Sequence, residues 1–256
     1  MTLRAAFVPE QGIALFLDVD GTLLEIAALP DGVRVPAALR NTLQLAAQRE
    51  DGALALLSGR SIEALDRLFA PSVFAAAGLH GFERRDGRGS FSCTPFDASA
   101  LPPIRSALQD WVQRHRGLLL EDKGVALALH YRNAPQLQEQ AYRIMHEAAT
   151  ALGPCFHLLA GKCAVELAPA HCSVRAAIEA FMGEPPFAGR TPVFVSDDST
   201  DEEAFEVVNA LCGHSIRVGA PEPSVEQSAA GYRFASVAGV VAWLRERNTH
   251  PMRPRR

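Results

Sequence analysis

The sequence predicts an α/β protein with a doubly wound, mostly parallel sheet core and an inserted α+β domain. Apolar strand patterns and helical patterns alternate up to about residue 85, which indicates a parallel sheet. The pattern then changes to pairs of strands beside helices, and the first alternation resumes near residue 166. We therefore predict a core formed by residues 1–85 and 166–248, an inserted domain at 86–165, and a disordered basic tail at 249–256.

The first part of the core contains three predicted strands and two predicted helices. The apolar run at 13–17 is short and bounded, as expected for a strand that is buried on both faces. A helix at 36–50 has apolar residues at helical spacing, and Gly52 marks its end. The remaining segments are a strand in 53–61, a helix at 62–70, a strand at 73–78 and a charged connection at 79–90.

The inserted domain and the second part of the core follow the same logic. The turn Asp122-Lys123-Gly124 separates two apolar runs and predicts a β-hairpin at 118–132. The other predicted helices lie at 102–117, 136–152, 173–182, 200–211 and 237–247, and the other strands at 155–161, 162–169, 191–198, 214–219 and 232–234.

Composition indicates an ordinary globular protein and excludes several classes of function. The chain has 256 residues, of which 48% are hydrophobic and 21% are charged. Its net charge of -4 gives no reason to expect a nucleic-acid or membrane partner, the basic tail aside. The first twelve residues lack the apolar core of a signal peptide, and no apolar run approaches the roughly 18 residues of a membrane span. We expect a cytoplasmic monomer.

The cysteines do not form a metal-binding pattern. The five of them are scattered and include no Cys-x-x-Cys pair, so a zinc site is disfavoured and free thiols in a reducing compartment are expected.

Two aspartates follow the first predicted strand. Residues i and i+2 of a strand point the same way, so Asp18 and Asp20 can face one site. The plain alternative is a turn at Asp20-Gly21, because Asp-Gly is a common turn pair. A calcium-binding loop does not fit, because Leu23 and Leu29 stand where its Gly and Glu are required.

A second acidic cluster follows the strand at 191–198. Asp197 and Asp198 lie at its end, and Asp201 comes where the next helix begins. Capping of that helix explains one of these acids, but not all three together with the first pair. Carboxylates at the carboxyl ends of parallel strands can converge on one cleft, and Mg²⁺ prefers such oxygen ligands.

A third loop lies between these clusters in the sequence. Ser58-Gly59-Arg60 follows the second strand, and a helix begins directly after it. A plain connecting loop is one interpretation of so short a pattern. Beside two acid-tipped strands, a phosphate cradle built from a hydroxyl, free amides and a helix start is the other interpretation, and the one we favour.

Together these motifs resemble the haloacid-dehalogenase-like phosphatases. The motifs are DVDGT, SGR and DDSTD, in that order. A longer set is similar to the trehalose-6-phosphate phosphatase family within that superfamily, and it extends from about residue 13 to 245: DVDGTLLEI, LLSGRS, GLHGFERR, EDKGVALALHYR, GKCAVEL and FVSDDSTDEEAF. The aspartate motifs identify only the superfamily. The segments in the inserted domain indicate the sugar phosphatases.

The resemblance implies a role for each acid. Asp18 would attack phosphorus and form an aspartyl phosphate, and Asp20 would protonate the leaving sugar oxygen and later activate water. Ser58 and its neighbouring amides would bind the phosphoryl group. Mg²⁺ would be held by Asp18, the Asp20 carbonyl and Asp197, with Asp198 and Asp201 positioning it.

The inserted domain would then be a cap that recognises the sugar. By resemblance, Glu121, Lys123, Lys162 and Glu166 hydrogen-bond its hydroxyls, and Arg132 is a further candidate. Lys162 and Glu166 lie four apart on one predicted strand and so share a face; a solvent-exposed salt bridge between them is the alternative. His80 and Gly81 are expected to belong to a structural hinge.

Three positions depart from the family pattern. The family has Ser-Lys-Gly at the start of the helix after the cap, whereas this chain has Ser173-Val174-Arg175. That lysine neutralises the nucleophile and the phosphate, so its loss is expected to cost on the order of 10²-fold in rate. Arg175 points about 100° away on the helix. Ser196 replaces a glycine, and Ala168 replaces a basic residue.

These observations give one leading hypothesis and its rivals. The leading hypothesis is a Mg²⁺-dependent phosphatase that hydrolyses trehalose 6-phosphate. One rival is a phosphatase for another sugar phosphate. The other is a catalytically weakened homologue that binds a sugar phosphate, which Val174 favours.

Overall fold

The computed structural model describes residues 12–27, 32–220 and 228–249. The predicted disordered tail, apart from Thr249, lies outside these ranges. The described strands are β1 Ile13–Asp18, β2 Leu54–Leu57, β3 Ala75–Gly78, β4 Glu83–Arg85, β5 Phe91–Cys93, β6 Leu119–Asp122, β7 Leu127–His130, β8 Phe156–Gly161, β9 Ala164–Pro169, β10 Thr191–Ser196, β11 His214–Val218 and β12 Tyr232–Phe234. The helices are α1 Ala37–Arg49, α2 Ile62–Phe69, α3 Leu101–Gln113, α4 Gln138–Leu152, α5 Val174–Met182, α6 Glu202–Ala210 and α7 Val237–Thr249.

The chain divides into two compact units. The first unit contains the residues up to Ser92 and from Ser173 onward, and the second contains Cys93–Cys172. Both boundaries lie further along the chain than the predicted ones. The segment at 79–90 was expected to be a connection, but β4 lies within it and extends the first sheet, and β5 follows it. That expectation was wrong because the charges of β4 concealed a strand: Arg85, for example, is fixed by two hydrogen bonds of 2.7 Å to Asp66.

The first unit contains a doubly wound sheet, as predicted. In the described residues its strand order is β12-β11-β10-β1-β2-β3-β4-β5, parallel from β12 to β3, with β4 antiparallel to β3. The chain winds outward from β1 toward β3 in one direction and toward β12 in the other. The switch in direction therefore lies between β1 and β10, and such a switch point is where open α/β sheets bind ligands at the carboxyl ends of their strands.

Alternate residues of the central strands bury themselves against different helices. Leu15 and Leu17 of β1 belong to an apolar cluster with residues of α1, α2 and α7. Ala14 and Phe16 belong to a second cluster with residues of α5 and α6. Because both faces of the sheet are covered, its strands are almost continuously apolar, and the polar side chains at their ends stand out in the sequence.

The second unit is an antiparallel sheet with helices on one face. Its strand order is β6-β7-β9-β8, and every neighbouring pair is antiparallel. Leu127, Leu129, Val165 and Leu167 pack with residues of α3 and α4 in one apolar cluster. Ala128, His130 and Glu166 alternate with these residues and so lie on the other face of the sheet. No helix in the described ranges is long and apolar enough to cross a membrane.

Candidate active site

The loop after β1 makes a sharp turn immediately after Asp18, the candidate nucleophile. Asp18 is the last residue of β1. The amides of Leu23 and Leu24 both donate to the carbonyl of Val19 at 3.0 Å, and Gly21 has a φ of +92°. Glycine tolerates this left-handed conformation without steric cost, which explains its place after the aspartate pair.

Asp197 at the end of β10 packs directly against this loop. A Cβ at Gly21 would lie 2.0 Å from Oδ2 of Asp197, so the carboxylate occupies the space that a side chain would need. The hydroxyl of Thr22 donates to Oδ1 of Asp197 at 3.3 Å. The acidic ends of β1 and β10 therefore meet at the switch point, as the sequence predicted.

The carboxylate of Asp18 is electrostatically strained. Its Oδ2 is buried and has no hydrogen-bond partner among the described residues. Burial, followed by the negative charges of Asp197, Asp201 and Asp20, raises the pKa of Asp18 well above its usual range. A buried acid surrounded by other acids is stabilised in its charged form by a cation.

Asp198 and Asp201 fasten the turn that follows Asp197. Oδ1 of Asp198 accepts from the amide of Thr200 at 3.0 Å and thereby caps this turn. Asp201 is buried, and its Oδ2 accepts from the Ser196 hydroxyl at 2.6 Å. Burial, then the charge of Asp198, raises the pKa of Asp201 to about 7, although the hydrogen bond from Ser196 acts in the opposite direction.

The Ser58-Gly59-Arg60 loop faces Asp20. The side chain of Ser58 is buried and accepts from the amide of Arg60 at 3.1 Å. The guanidinium of Arg60 donates twice to Asp20, from Nε to Oδ2 at 2.6 Å and from a terminal nitrogen to Oδ1 at 2.8 Å. Arg60 was predicted to bind phosphate. In the structure its guanidinium binds Asp20, the carboxylate that was predicted to act as general acid and base.

His80 is a site residue whose position the sequence did not reveal. A Cβ at Gly59 would lie 2.6 Å from its Nε2, so the imidazole packs against the phosphate-loop candidate, and its charge influences the pKa of Asp201. Leu79 and His80 have φ values of 50° and 55°, a left-handed conformation that is uncommon for residues other than glycine. The amide of His80 donates to the Ser58 carbonyl at 3.1 Å.

The signals for the missed residues were weak but present. His80 follows the carboxyl end of β3, the next parallel strand along the sheet after β2. Thr22 lies within the DVDGT motif, but an isolated threonine after a turn is too common to single out.

The donor set fits a magnesium ion. It consists of carboxylate and carbonyl oxygens, and the orphaned Oδ2 of Asp18 beside Asp197 is the observation that calls for a cation. Within the described ranges, no group of three or more His, Cys, Asp or Glu side chains converges closely enough to hold a metal without other ligands. Mg²⁺ in proteins keeps several waters and uses one or two carboxylates together with substrate phosphate, so three converging side chains are not required for it.

The second unit carries a polar cluster on the sheet face opposite to α3 and α4, which we call the open sheet face because no helix of this unit covers it in the described residues. Lys123 donates to Oε2 of Glu166 at 2.6 Å, and Nε2 of His130 lies 2.8 Å from Oε2 of Glu121. Burial raises the pKa of Glu121, but the hydrogen bond from His130 and the charge of Lys123 outweigh it and lower that pKa. Arg132 donates to the carbonyl of Lys162 at 2.9 Å. The predicted sugar-binding side chains of Glu121, Lys123, Arg132 and Glu166 therefore each have a hydrogen-bond partner.

The expected position of Lys162 on a strand was wrong. β8 ends at Gly161 and β9 begins at Ala164, and these two residues pair, so Lys162 and Cys163 form the hairpin turn. Cys163 has a φ of 61°, as the turn requires. Lys162 is exposed, and Glu166 forms an ion pair with Lys123.

The departure at the start of α5 makes the first residue of that helix apolar. Val174 is the first residue of α5 and is buried in the apolar cluster with Phe16 and Phe181. Arg175 is exposed and pairs along the helix with Glu179 at 3.3 Å. Ala168 lies buried on β9.

Comparison with known proteins gives one consistent result. A family model described as trehalose-phosphatase matches residues 16–238. The chain is 45% identical over 231 residues to the trehalose-6-phosphate phosphatase of Escherichia coli, covering 90% of this chain and 85% of that protein. It is 42% identical over 234 residues to a probable trehalose-phosphate phosphatase of Sinorhizobium fredii, covering 90% and 87%. The C-terminal domain of a Candida albicans trehalose-6-phosphate phosphatase superposes with a TM-score of 0.81 at 21% identity, covering 93% of each chain, and this likeness confirms the predicted fold.

Proposed function

This chain belongs to the trehalose-phosphatase family, and we propose that it hydrolyses trehalose 6-phosphate to trehalose and phosphate with Mg²⁺ as its cofactor. One observation carries the proposal: the orphaned Oδ2 of Asp18 lies at the switch point of the sheet, beside Asp197 and two residues before the Arg60-bound carboxylate of Asp20. In this proposal Asp18 is the nucleophile, Asp20 is the proton donor, and the carboxylates around them supply the oxygen ligands of the metal.

The first half of the reaction transfers the phosphoryl group to the protein. A carboxylate oxygen of Asp18 attacks phosphorus, and the bond from phosphorus to the sugar oxygen breaks. The departing oxygen takes a proton from Asp20, so trehalose leaves as a neutral alcohol. Arg60 orients the Asp20 carboxyl group through its two hydrogen bonds, and amides of the Ser58 loop are available for the phosphoryl oxygens.

The second half returns the protein to its starting state. Asp20, now deprotonated, takes a proton from a water molecule, and the water oxygen attacks phosphorus of the Asp18 acyl phosphate. The bond between phosphorus and the Asp18 oxygen breaks, and inorganic phosphate leaves.

The proposed ligands of the magnesium ion are oxygens of the acidic residues. Asp18, the Asp20 carbonyl and Asp197 would hold Mg²⁺, with Asp198 and Asp201 supporting them. When bound, the ion offsets repulsion between the Asp18 carboxylate and the anionic phosphate.

The open sheet face of the second unit supports a sugar substrate. Its polar side chains are Glu121, Lys123, His130 and Glu166, and they already pair with one another as donors and acceptors. We infer that the hydroxyls of the disaccharide exchange into these hydrogen bonds, with Lys162 and Arg132 at the hairpin end. A site of this kind rejects ligands that leave its polar groups unpaired.

Val174 favours one rival function, a weakened homologue that binds sugar phosphate without rapid turnover. The family lysine is missing, and Arg175 is engaged with Glu179. The guanidinium of Arg60 opposes this rival, because it lies 2.6 Å from Asp20 at the acidic site and can offset phosphate charge.

Phosphate release distinguishes these functions. The purified protein is given trehalose 6-phosphate, glucose 6-phosphate and a panel of other sugar phosphates, each with Mg²⁺ and with chelator. Selective, Mg²⁺-dependent release from trehalose 6-phosphate supports the proposal. Faster release from another sugar phosphate would assign a different substrate. Binding of trehalose 6-phosphate in a calorimeter without release would establish the weakened homologue.

A further inference from the structure

Ser196 occupies an unusual position at the end of β10. It is fully buried, directly precedes Asp197, and lies two residues after Phe194, so its side chain faces the layer formed by α5 and α6. This is also the face toward which the first turn leading into α6 brings Asp201. A hydroxyl in such a position requires hydrogen-bond partners, because an unpaired buried polar group is costly.

The hydrogen bonds of Ser196 have a defined direction. The amide of Asp198 donates to its oxygen at 3.1 Å. A hydroxyl has one proton, and the oxygen already serves as the acceptor for Asp198, so this proton is directed to Oδ2 of Asp201 at 2.6 Å. The hydroxyl thus links the backbone before the acidic turn to the side chain at its end.

This link matters because Asp201 is held in a repulsive environment. Asp201 is buried, Asp198 and Asp197 lie close enough for their charges to act on it, and its own charge acts on Asp18. A donor fixed by the backbone keeps the carboxylate of Asp201 from rotating away from the other acids.

We propose that Ser196 is a positioning residue that orients Asp201 and the Asp197-Asp198 turn for magnesium binding. The proposal rests on the proposed function, since it concerns the same metal site. Ser196 itself touches neither metal nor phosphate in this account; it acts through Asp201. An outer partner of this kind typically contributes about 10- to 100-fold to metal affinity or activity.

A matched control lies on the neighbouring strand. Ser215 of β11 is also fully buried, its hydroxyl donates to Asn209 at 2.6 Å, and it accepts from the amide of Gly231 at 2.9 Å. It has the same residue type, burial and pattern of donating and accepting, but its hydrogen bonds do not involve the acidic cluster. Ser215→Ala therefore measures what the loss of a buried hydroxyl does to the fold alone.

The test compares Ser196→Ala, Ser196→Cys, whose thiol is only a weak hydrogen-bond donor, Ser215→Ala and the unaltered protein. Calorimetric titration with MgCl₂ gives the dissociation constant without any turnover, and thermal unfolding in chelator reports the folded state. We expect the Mg²⁺ dissociation constant to rise by about 10-fold or more in both Ser196 variants and to stay within about twofold in Ser215→Ala. In turnover assays the Ser196 variants should need more Mg²⁺ for half-activation while the KM for trehalose 6-phosphate changes little.

Two results would overturn the proposal. One is unchanged Mg²⁺ affinity in folded Ser196→Ala, and the other is an equal loss of affinity in Ser215→Ala. If Ser196→Ala does not fold, the Ser196→Cys titration decides by the same criterion. Failure of the unaltered protein to hydrolyse trehalose 6-phosphate would refute the proposed function instead, because the titration still reports on Ser196.

Discussion

Arg60 and Asp20 form a bidentate ion pair at the carboxyl ends of β1 and β2, with hydrogen bonds of 2.6 and 2.8 Å. The planar guanidinium fixes the orientation of the carboxyl group as well as supplying charge. The group that must donate and then accept a proton is thereby held in one orientation before substrate arrives.

We therefore predict that Arg60→Ala lowers kcat on the order of 10²-fold, as the loss of one preorganised electrostatic contact does. Arg60→Lys should recover only part of this loss, because lysine keeps the charge but cannot form the fork. Steady-state kinetics of phosphate release measure both.

Arg85 provides the control for that pair. It also forms a two-pronged ion pair, with Asp66, at 2.7 Å for both hydrogen bonds. Arg85→Ala should lower the melting temperature while leaving kcat within about twofold. An equal loss of kcat in the Arg60 and Arg85 variants would show that Arg60 acts only through stability.

Gly21 is predicted to be essential for metal binding because Asp197 occupies its side-chain position. In Gly21→Ala the new methyl group would lie 2.0 Å from Oδ2 of Asp197, so the carboxylate must move. We expect Mg²⁺ binding measured by calorimetry to weaken by about 10-fold or more. Gly189 is the matched position, because it has a φ of +75° and a Cβ added there would meet no atom within 4 Å. Gly189→Ala should cost stability but leave Mg²⁺ affinity unchanged; parallel losses would contradict the assignment.

The raised pKa of Asp201 predicts how the stability of the metal-free protein depends on pH. Burial and the charge of Asp198 raise this pKa to about 7, whereas an unfolded aspartate titrates near 4. Between these values the folded state binds a proton that the unfolded state does not, so the free energy of unfolding falls as the pH rises through this window.

Asp201→Asn removes this proton uptake. In chelator, the melting temperature of the variant should be higher than that of the unaltered protein at about pH 8. At about pH 5 the two melting temperatures should be similar. Asp18, whose pKa is also raised, should leave a residual slope of the same sign. Thermal unfolding at a series of pH values measures this, and a variant that is less stable than the unaltered protein at the higher pH would contradict the account.

Lys123 and Glu166 are predicted to act on substrate selection and not on chemistry. They form a 2.6 Å ion pair on the open sheet face of the second unit, with both side chains largely buried. Lys123→Met should lower kcat/KM for trehalose 6-phosphate by about 10- to 100-fold, as for a lost charge-assisted hydrogen bond. Hydrolysis of a small aryl phosphate should be unaffected.

Arg105→Ala is the control within the second unit. Arg105 pairs with Asp122 at 2.7 Å, and Asp122 faces the helix-covered side of the same hairpin, opposite Leu127. This variant should keep its selectivity. If Lys123→Met hydrolysed both substrates at normal rates, the assignment of the polar face to the sugar would fail.

The sequence was sufficient for the fold because burial on both faces leaves a strong pattern. β1 is apolar up to Asp18, and β10 contains an apolar run from Pro192 to Val195, so Asp18 and Asp197 marked the carboxyl edge without any structure. β4 was missed for the opposite reason, since Glu83, Arg84 and Arg85 satisfy their charges through ion pairs and hydrogen bonds that are remote in sequence, such as that between Arg84 and Glu184.

The site was predictable in its residues more than in its contacts. Which partner a charged side chain selects depends on register and turn geometry: Glu166 pairs with Lys123, which lies 43 residues earlier in the chain. His80 and Ser196 gain their positions from a left-handed turn and a buried strand end, and neither leaves a periodic signal.

The central claim is that Asp18 carries the phosphoryl group, and the turnover of Asp18→Asn tests it most directly. The variant and the unaltered protein are compared for phosphate release from trehalose 6-phosphate with saturating Mg²⁺, after thermal unfolding has shown that both are folded. An amide cannot act as this nucleophile, so we predict a loss of about 10³-fold or more in the variant. Turnover of Asp18→Asn at the rate of the unaltered protein would contradict the account.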